Sequence, residues 1–184
     1  MPPLLAQLER LARLLAALSE WIGRGISWLT LFMVLITFGI VVLRYGFGIG
    51  SIAAQEAVIY LHALVFLLGA AYTLKHDGHV RVDIFYRGMS ERRQAWVDLL
   101  GTLLLLVPVC LFIAWASWDY VAASWELREG SRETSGLPGV YLLKTAIPLM
   151  AVLVLLQGLA LGIRALLVLS GARVNAETPP AREL

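Results

Sequence analysis

Four apolar stretches, each long enough to cross a lipid bilayer, occupy most of this 184-residue chain. They cover residues 25–43, 57–74, 99–118 and 145–163, and His62 is the one readily ionisable side chain that interrupts them. A helix needs about 20 mostly apolar residues to span a hydrocarbon core about 30 Å thick. Because lipid offers no hydrogen-bond partners to the backbone, each stretch must satisfy its own N–H and C=O groups as a helix. The sequence therefore predicts an all-α membrane protein with four transmembrane helices, which cover residues 25–45, 53–75, 95–125 and 141–169.

The composition agrees with this class. The chain is 59% hydrophobic and 15% charged, whereas soluble domains carry about 25% charged residues. The single cysteine, Cys110, lies in the third stretch and is expected to be a small buried apolar residue, so the sequence predicts neither an intrachain disulfide nor a metal cluster of cysteines. No cleavable signal peptide is expected, because Glu9, Arg10 and Arg13 interrupt the first candidate segment.

The arginines and lysines predict the topology. They concentrate before the first stretch, between the second and third, and after the fourth: Arg10, Arg13, Arg24, Lys75, Arg81, Arg87, Arg92, Arg93, Arg164, Arg173 and Arg182. The other side has Arg44, Arg128, Arg132 and Lys144, and acidic residues accompany them there. Short loops rich in positive charge stay in the cytoplasm. We therefore expect both termini and the middle loop, 75–94, to be cytoplasmic, with loops 44–55 and 126–143 facing outward.

Both terminal segments differ from the apolar stretches. Leucines recur at helical spacing through residues 4–18 with charged residues between them, which predicts an amphipathic helix over 1–24 that lies in the membrane surface. A partner-binding helix and a cytoplasmic extension of the first span are the alternatives. The tail, 171–184, contains Pro179-Pro180 and is expected to be disordered.

Two features within the spans predict local geometry, and one loop predicts a lipid contact. Pro108 removes a backbone donor and should bend the third span. Gly158 and Gly162 have the GxxxG spacing that lets another helix approach closely. The basic residues of the middle loop are expected to contact anionic headgroups, so phospholipids are predicted partners.

Catalytic chemistry is not indicated by these residues. A nucleophile and base would need a serine or cysteine near a histidine with an orienting carboxylate, whereas the hydroxyls here are scattered and two of the three histidines lie in the cytoplasmic loop. A haem held between facing helices would need a second intramembrane histidine besides His62. We expect His62 to be neutral and hydrogen-bonded between helices. Neither an enzyme nor a cofactor, a metal or a nucleic-acid partner is predicted.

Autonomous transport is not indicated either. Ion conduction needs intramembrane carboxylates or helices broken at the midplane. Glu56, Asp98 and Arg44 all lie near span ends, and no span is interrupted at its middle. These features therefore favour a scaffold or accessory subunit over an enzyme or an independent transporter.

Short patterns along the chain match a known family in their order. They are Arg44-Tyr45, Glu56, Leu68-Gly69-Ala70-Ala71, His79-Val80-Arg81-Val82-Asp83, Glu129-Gly130-Ser131-Arg132-Glu133, Gly136-Leu137-Pro138, Lys144, Ile147-Pro148 and Leu156-Gln157-Gly158. From about residue 27 to 169, the chain resembles the small membrane subunit, of the DctQ type, of tripartite ATP-independent periplasmic (TRAP) transporters. The Gly-Ser-Arg-Glu and Gly-Leu-Pro segments resemble the branch associated with 2-oxo acids or mannitol and chloroaromatic compounds. One departure is Ala53-Ala54-Gln55-Glu56, where family members often have a tryptophan and paired acidic residues.

The resemblance implies a three-component system in the bacterial inner membrane. A periplasmic binding protein would capture an organic acid, and a large membrane subunit would carry it, driven by an ion gradient. The small subunit would widen the stationary scaffold of the large one and help the binding protein dock, with no catalytic role. The alternatives are a haem- or quinone-linked membrane anchor of a respiratory enzyme and a small transporter that works alone.

Candidate contact residues follow from this interpretation. Arg44 and Glu56 are expected to make a polar contact at the outer interface, with each other or with lipid, and His79 and Asp83 to order the cytoplasmic loop by hydrogen bonds. Gly158 and Gly162 are expected to pack closely against the large subunit. The candidates for docking the binding protein are Glu126, Arg128, Glu129, Arg132 and Glu133.

Overall fold

The computed structural model describes residues 3–79 and 83–171, and within them the chain forms helices and no strand. The helices are α1 (Pro3–Phe47), α2 (Ile52–Lys75), α3 (Asp83–Tyr86), α4 (Glu91–Gly101), α5 (Val107–Glu126) and α6 (Val140–Leu169). A π-helical segment, Thr102–Leu106, joins α4 to α5 without a break. Four of the described helices are long and apolar enough to cross a membrane: α1, α2, the continuous Glu91–Glu126 and α6. The prediction of an all-α protein with four such helices is confirmed, and residues 172–184 of the predicted tail lie outside the described residues.

Helix α1 continues through the position where a surface helix was predicted to end. Its 45 residues correspond to about 68 Å at 1.5 Å per residue, which exceeds the thickness of a bilayer, about 40–45 Å with its headgroups. In the first half, small residues at helical spacing are buried: Ala12, Ala16, Ser19 and Gly23. A Cβ atom added at Gly23 would lie 2.2 Å from Cδ2 of Tyr72, so α1 and α2 approach closely there. Residues 3–24 are thus continuous with the apolar part of α1 in one helix, which contacts α2 and α6; the predicted location of this segment in the membrane surface stays a prediction.

The third membrane helix contains an irregularity beside its proline. The N–H of Val107 donates to the carbonyl of Thr102, five residues earlier, which is the bonding of a π-helix. Pro108 follows at once and has no N–H to donate to the turn before it. A π-turn of this kind releases carbonyl groups that a proline would otherwise crowd.

Helix α6 is the centre of the bundle. It contacts α1, α2, α4 and α5, and 39% of its most apolar window is buried, compared with 0% for that of α1. Small side chains make these contacts possible, among them Ala146, Ala151, Ala160 and Ala165. Close packing of small residues is the usual basis of helix association in lipid, where no hydrophobic force acts between helices.

Candidate functional site

The connection between α5 and α6 is fastened to the start of α2 by one carboxylate. This segment, residues 127–139, is the outer loop. The Oε1 atom of Glu56 accepts a hydrogen bond from the hydroxyl of Ser131, and its Oε2 atom accepts one from the N–H of Leu137 at 2.6 Å. Ser131 also donates its own N–H to the carbonyl of Leu137 at 3.0 Å. Gly136 fits against this contact, since a Cβ there would lie 2.3 Å from Oγ of Ser131.

A second carboxylate closes the base of the outer loop. The Oε2 atom of Glu129 accepts hydrogen bonds from the Ser124 hydroxyl, at 2.6 Å, and from the Lys144 ammonium. These donors, Lys144 first, lower the pKa of Glu129 below its usual value of 4.5. The ammonium of Lys144 also lies 3.9 Å from the ring centroid of Tyr120. Glu129 therefore joins the end of α5 to the start of α6.

The other predicted docking residues have different environments from Glu129. Glu126, Arg128, Arg132 and Glu133 are exposed, whereas Glu129 is half-buried. Arg128 has a φ of 46°, and its guanidinium carbon lies 5.8 Å from the ring of Trp125. Arg128, Arg132 and Glu133 on the outer loop form a charged outer surface together with Glu126, the last residue of α5.

Arg44 and Glu56 do not form the predicted contact with each other. Glu56 uses its oxygens on the outer loop, and Arg44, in the last turn of α1, is exposed. The sequence patterns included both Glu56 and the Gly-Ser and Gly-Leu-Pro segments, but nothing in them indicated that these parts meet.

Two hydrogen bonds order the part of the middle loop next to α4. The Tyr86 hydroxyl donates to Oδ2 of Asp98 at 2.7 Å, and Nε2 of Gln94 donates to the carbonyl of Tyr86 at 2.9 Å. These bonds tie α3 to α4. Of the two residues that the sequence predicts to order this loop, His79 is exposed, and the side chain of Asp83 lies outside the described residues.

A carboxylate in the first half of α1 collects cations from two helices. Both Lys75 and His76, at the end of α2, lie 2.8 Å from Oε2 of Glu20, and Nε of Arg24 lies 2.7 Å from its Oε1. The bonds from Lys75 and His76 lower the pKa of Glu20 from 4.5 to about 2. The sequence indicates one pair of this cluster, because Glu20 and Arg24 have the i,i+4 spacing of neighbours on a helix. The partners from α2 are more than 50 positions away along the chain.

The two glycines of the GxxxG pattern lie inside the bundle and not on its surface. Both are buried; a Cβ at Gly158 would lie 2.4 Å from Leu106, and one at Gly162 would lie 3.6 Å from Thr102. The close approach that they permit is therefore between α6 and the π-helical segment of the same chain. They are not available for the predicted contact with another subunit.

His62 points away from the bundle. It is exposed, and its side chain has no hydrogen bond within the described part of the chain, so the predicted hydrogen bond between helices is not formed. A haem site between helices of this chain would need His62 to face inward. Across residues 3–79 and 83–171, no group of three or more histidine, cysteine, aspartate or glutamate side chains is arranged to hold a metal ion.

Two comparisons with known proteins agree on one family. The family model of the DctQ component of tripartite ATP-independent periplasmic transporters matches residues 33–167. Over 88 residues the chain is 28% identical to a protein from Vibrio cholerae named C4-dicarboxylate TRAP transporter small permease protein DctQ. This similarity covers 48% of the chain and 38% of that relative's length. No solved structure matches the chain.

Proposed function

Because the chain belongs to the DctQ component family of TRAP transporters, we propose that it holds a large transport subunit through α2 and presents its outer loop to a periplasmic solute-binding protein. As a small permease component it is part of a transporter in the bacterial inner membrane and not an enzyme. The observation that carries the proposal is a stripe of side chains on α2 that faces away from the bundle and includes polar groups.

The α2 stripe is regular. Its residues are exposed at spacings of three and four, which places them on one face of the helix: Ile52, Gln55, Ile59, His62 and Phe66. Gly69 continues this face, and a Cβ added there would meet nothing within 4 Å. Small residues on an open helix face are typical of surfaces against which another membrane helix packs.

The polar members of the stripe favour a protein neighbour over lipid. His62 lies ten residues into α2, about 15 Å along the helix and close to half the depth of the hydrocarbon core. Polar side chains at that depth usually face protein or a water-filled cavity. The hydroxyls of Ser27 and Thr30 on α1 avoid this cost by donating to carbonyls of their own helix, at 2.7 and 2.6 Å. The His62 imidazole and the Gln55 carboxamide have no hydrogen bond within the part of the chain that the structure describes, so we expect a partner helix to provide their acceptor or donor.

Photocrosslinking tests the α2 stripe. Phe66 and Phe112 are both exposed aromatic residues in membrane helices, at 73% and 62%, and each can be replaced with a photoreactive phenylalanine analogue in the native membrane. We expect the probe at position 66 to crosslink to a large polytopic protein and the probe at 112, on α5, to give lipid adducts. Crosslinks to protein from 112 but not from 66 would reject α2 as the contact face. If neither position gives a protein crosslink and the chain purifies alone, the scaffold function itself fails.

The outer loop supports the second half of the proposal. Glu56 and Glu129 fix its backbone, so the charges of Glu126, Arg132 and Glu133 keep a defined arrangement outside the bundle. Exposed charges at an interface mainly set the rate of association and its dependence on salt. A loop that is rigid at its base and charged at its surface suits repeated docking of a soluble protein.

Charge reversal tests this docking. We expect E126K combined with E133K to slow solute uptake at low ionic strength and to reduce its salt dependence, because neither side chain takes part in the contacts that hold the loop. The matched control is E91K, which changes an exposed carboxylate in the first turn of α4, on the opposite side of the predicted membrane. Unchanged uptake and unchanged salt dependence in a normally assembled double variant would reject the docking role.

The solute is proposed to be an organic acid, since the Vibrio cholerae relative is named for C4-dicarboxylates. Its binding site would belong to the large subunit. This division of roles fits the residues that the structure describes, because their charged side chains lie before and after the apolar stretches and not within them.

A further inference from the structure

A cavity of about 410 Å³ lies between α1, α2 and α6. It is lined by residues that precede the apolar stretch of α1 and by Lys75 and Arg164, which follow those of α2 and α6. These positions are at one level of the bundle, the end that is predicted to face the cytoplasm. The volume is within the usual range for pockets that bind small molecules, about 300–1,000 Å³.

The lining carries an excess of positive charge. Four cationic side chains and one carboxylate contribute to it: Arg13, Arg24, Lys75 and Arg164, with Glu20. Glu20 is already shared between Lys75, Arg24 and the neighbouring His76. Arg13 has one distant pairing, at 3.7 Å from Glu9. The net charge of the lining is therefore +3, with no second carboxylate to balance it.

Among the cationic side chains that line the cavity, Arg164 has the strongest need for a negatively charged partner. It is half-buried, and within the described part of the chain it has neither a hydrogen bond nor an ion pair. A guanidinium remains charged at all physiological pH values, and withdrawing it from water without a counter-charge is unfavourable. Its planar set of donors matches a phosphate group, with two parallel N–H···O bonds. An anion with tetrahedral oxygens is the ligand chemistry that this position favours.

The surroundings indicate a lipid as the source of that phosphate. Ala16, Ala17 and Trp21 provide an apolar part of the lining, and Trp21 is 78% exposed beside it. Tryptophan at the end of an apolar stretch is typical of the membrane interface. Basic pockets between transmembrane helices on the cytoplasmic side attract anionic headgroups, which are concentrated in that leaflet.

We infer that this cavity binds the phosphate group of an anionic phospholipid from the inner leaflet, with Arg164 as its main contact and Arg24 and Lys75 completing the positive surface. The lipid bridges the first half of α1 to the ends of α2 and α6. It supplies the negative charge that this end of the bundle lacks. The inference is independent of the solute, of the binding protein and of the contact through α2.

The test uses the full chain, with any membrane partner that co-purifies, in mild detergent after lipid removal. Dioleoylphosphatidylglycerol is titrated while thermal unfolding is followed, with dioleoylphosphatidylcholine and inorganic phosphate as the comparison probes. We expect phosphatidylglycerol to raise the midpoint saturably and the other two to have much smaller effects. Equal effects of both lipids would overturn the inference. An effect of inorganic phosphate equal to that of phosphatidylglycerol would overturn the lipid as source.

Variants assign the effect to the cavity. Loss of one charge-assisted hydrogen bond corresponds to about tenfold in affinity, so R164Q should weaken phosphatidylglycerol binding by about that factor. R164K should lie between R164Q and the wild type, because lysine keeps the charge without the planar donor pair. R24Q, at a side chain that is 77% exposed, reduces the positive charge without disturbing the packing and should also weaken binding. The control is R93Q, an equal charge change on α4 outside the cavity; if R93Q weakens binding as much as R164Q does, the inference is wrong.

Discussion

At the outer end of the bundle, Glu56 and Glu129 accept hydrogen bonds from the loop that connects α5 to α6. At the inner end, Glu20 is the one carboxylate in the cavity lining and is surrounded by more cations than it can neutralise, and Arg164 has no partner among the residues that the structure describes. Glu56 and Glu129 thus find their hydrogen-bond donors within the chain, whereas the cations around Glu20 exceed the negative charge available to them. The outer end is therefore held by hydrogen bonds within the chain, whereas the inner end has an excess of positive charge.

The two ends also differ in how their helices are held together. Backbone proximity dominates the inner end, where Gly23 contacts Tyr72 and Gly162 lies near Thr102. Hydrogen bonds to a loop dominate the outer end. Packing defects should therefore weaken the inner end most, and loss of a carboxylate should loosen the outer end.

The largest effect is expected from G23V. A Cβ at this position would lie 2.3 Å from Cγ of Tyr72, so the added methyl groups force α1 and α2 apart. Overpacking of this kind costs about 1–3 kcal/mol. G25V is the matched control, because a Cβ at Gly25 meets nothing within 4 Å. Unfolding free energies in detergent measure the difference, and equal values for the two variants would contradict the close contact.

The next effect concerns the outer end and is local. E56Q removes the charge and one acceptor from the Ser131 and Leu137 contacts, so the N–H of Leu137 should become less protected. Amide hydrogen exchange of the outer loop should accelerate by about tenfold, which is typical of losing a hydrogen bond to a charged group. The control is E126Q, which changes an exposed carboxylate at the same end and should leave the exchange unchanged. Protection that persists in E56Q would show that other contacts hold the loop.

Acid should reproduce part of this loosening. The pKa of Glu129 is lowered in the folded protein by its bonds from Lys144 and Ser124. A lowered pKa means that the contribution of Glu129 to stability is fully present above its ordinary pKa of 4.5 and disappears as the pH falls through the lower, folded value. The protection factor of the outer-loop amides, which is the intrinsic exchange rate at each pH divided by the observed rate, should therefore be constant from pH 7 to 5 and decrease below pH 4.5 in the wild type. E129Q should show lower protection and a smaller step, and the remaining step comes from protonation of Glu56, whose carboxylate accepts bonds from Ser131 and Leu137; an identical pH profile in both would contradict the assignment.

The smallest effect is expected from R128G. Glycine relieves the positive φ of 46°, which offsets the loss of an exposed cation–π contact of about 0.5–1 kcal/mol. Stability should change by less than about 0.5 kcal/mol. If uptake with the binding protein nevertheless decreases, Arg128 contributes to docking and not to folding. A large loss of stability would show instead that its stacking on Trp125 holds the loop.

The sequence predicts the four helices well because each span must satisfy its own backbone, which is a local requirement. It does not predict which face of each helix packs against the other helices of the bundle. The spans are apolar all round, so no amphipathic pattern distinguishes the side of α2 that carries His62 from the side that packs on α1 and α6. For the same reason the GxxxG spacing indicated a close contact at Gly158 and Gly162 but not the helix that makes it.

The polar contacts were least accessible from the sequence. Glu56 and Ser131 are 75 positions apart and Glu20 and Lys75 are 55 apart, and their meeting depends on how the helices associate. Charge counting placed Glu56 near the outer interface and the basic residues on the inner side. It could not identify the hydrogen-bond donors of Glu56, nor could it show that Arg164 has no partner among the described residues.

The π-helical segment next to Pro108 also governs the phase of the helix that it interrupts. Before it, Ala95, Leu99 and Thr102 are buried; after it, Cys110, Ser117, Val121 and Ser124 are buried. Steps of seven residues from Thr102 lead to positions 109, 116 and 123. The buried residues of the second group are Cys110, Ser117 and Ser124, each one position further along the chain. The extra residue of the π-turn absorbs this offset, and both groups face α6. A one-residue deletion in α2 would rotate everything beyond it by about 100°, whereas one between Thr102 and Leu106 would leave α4 and α5 in phase with their neighbour.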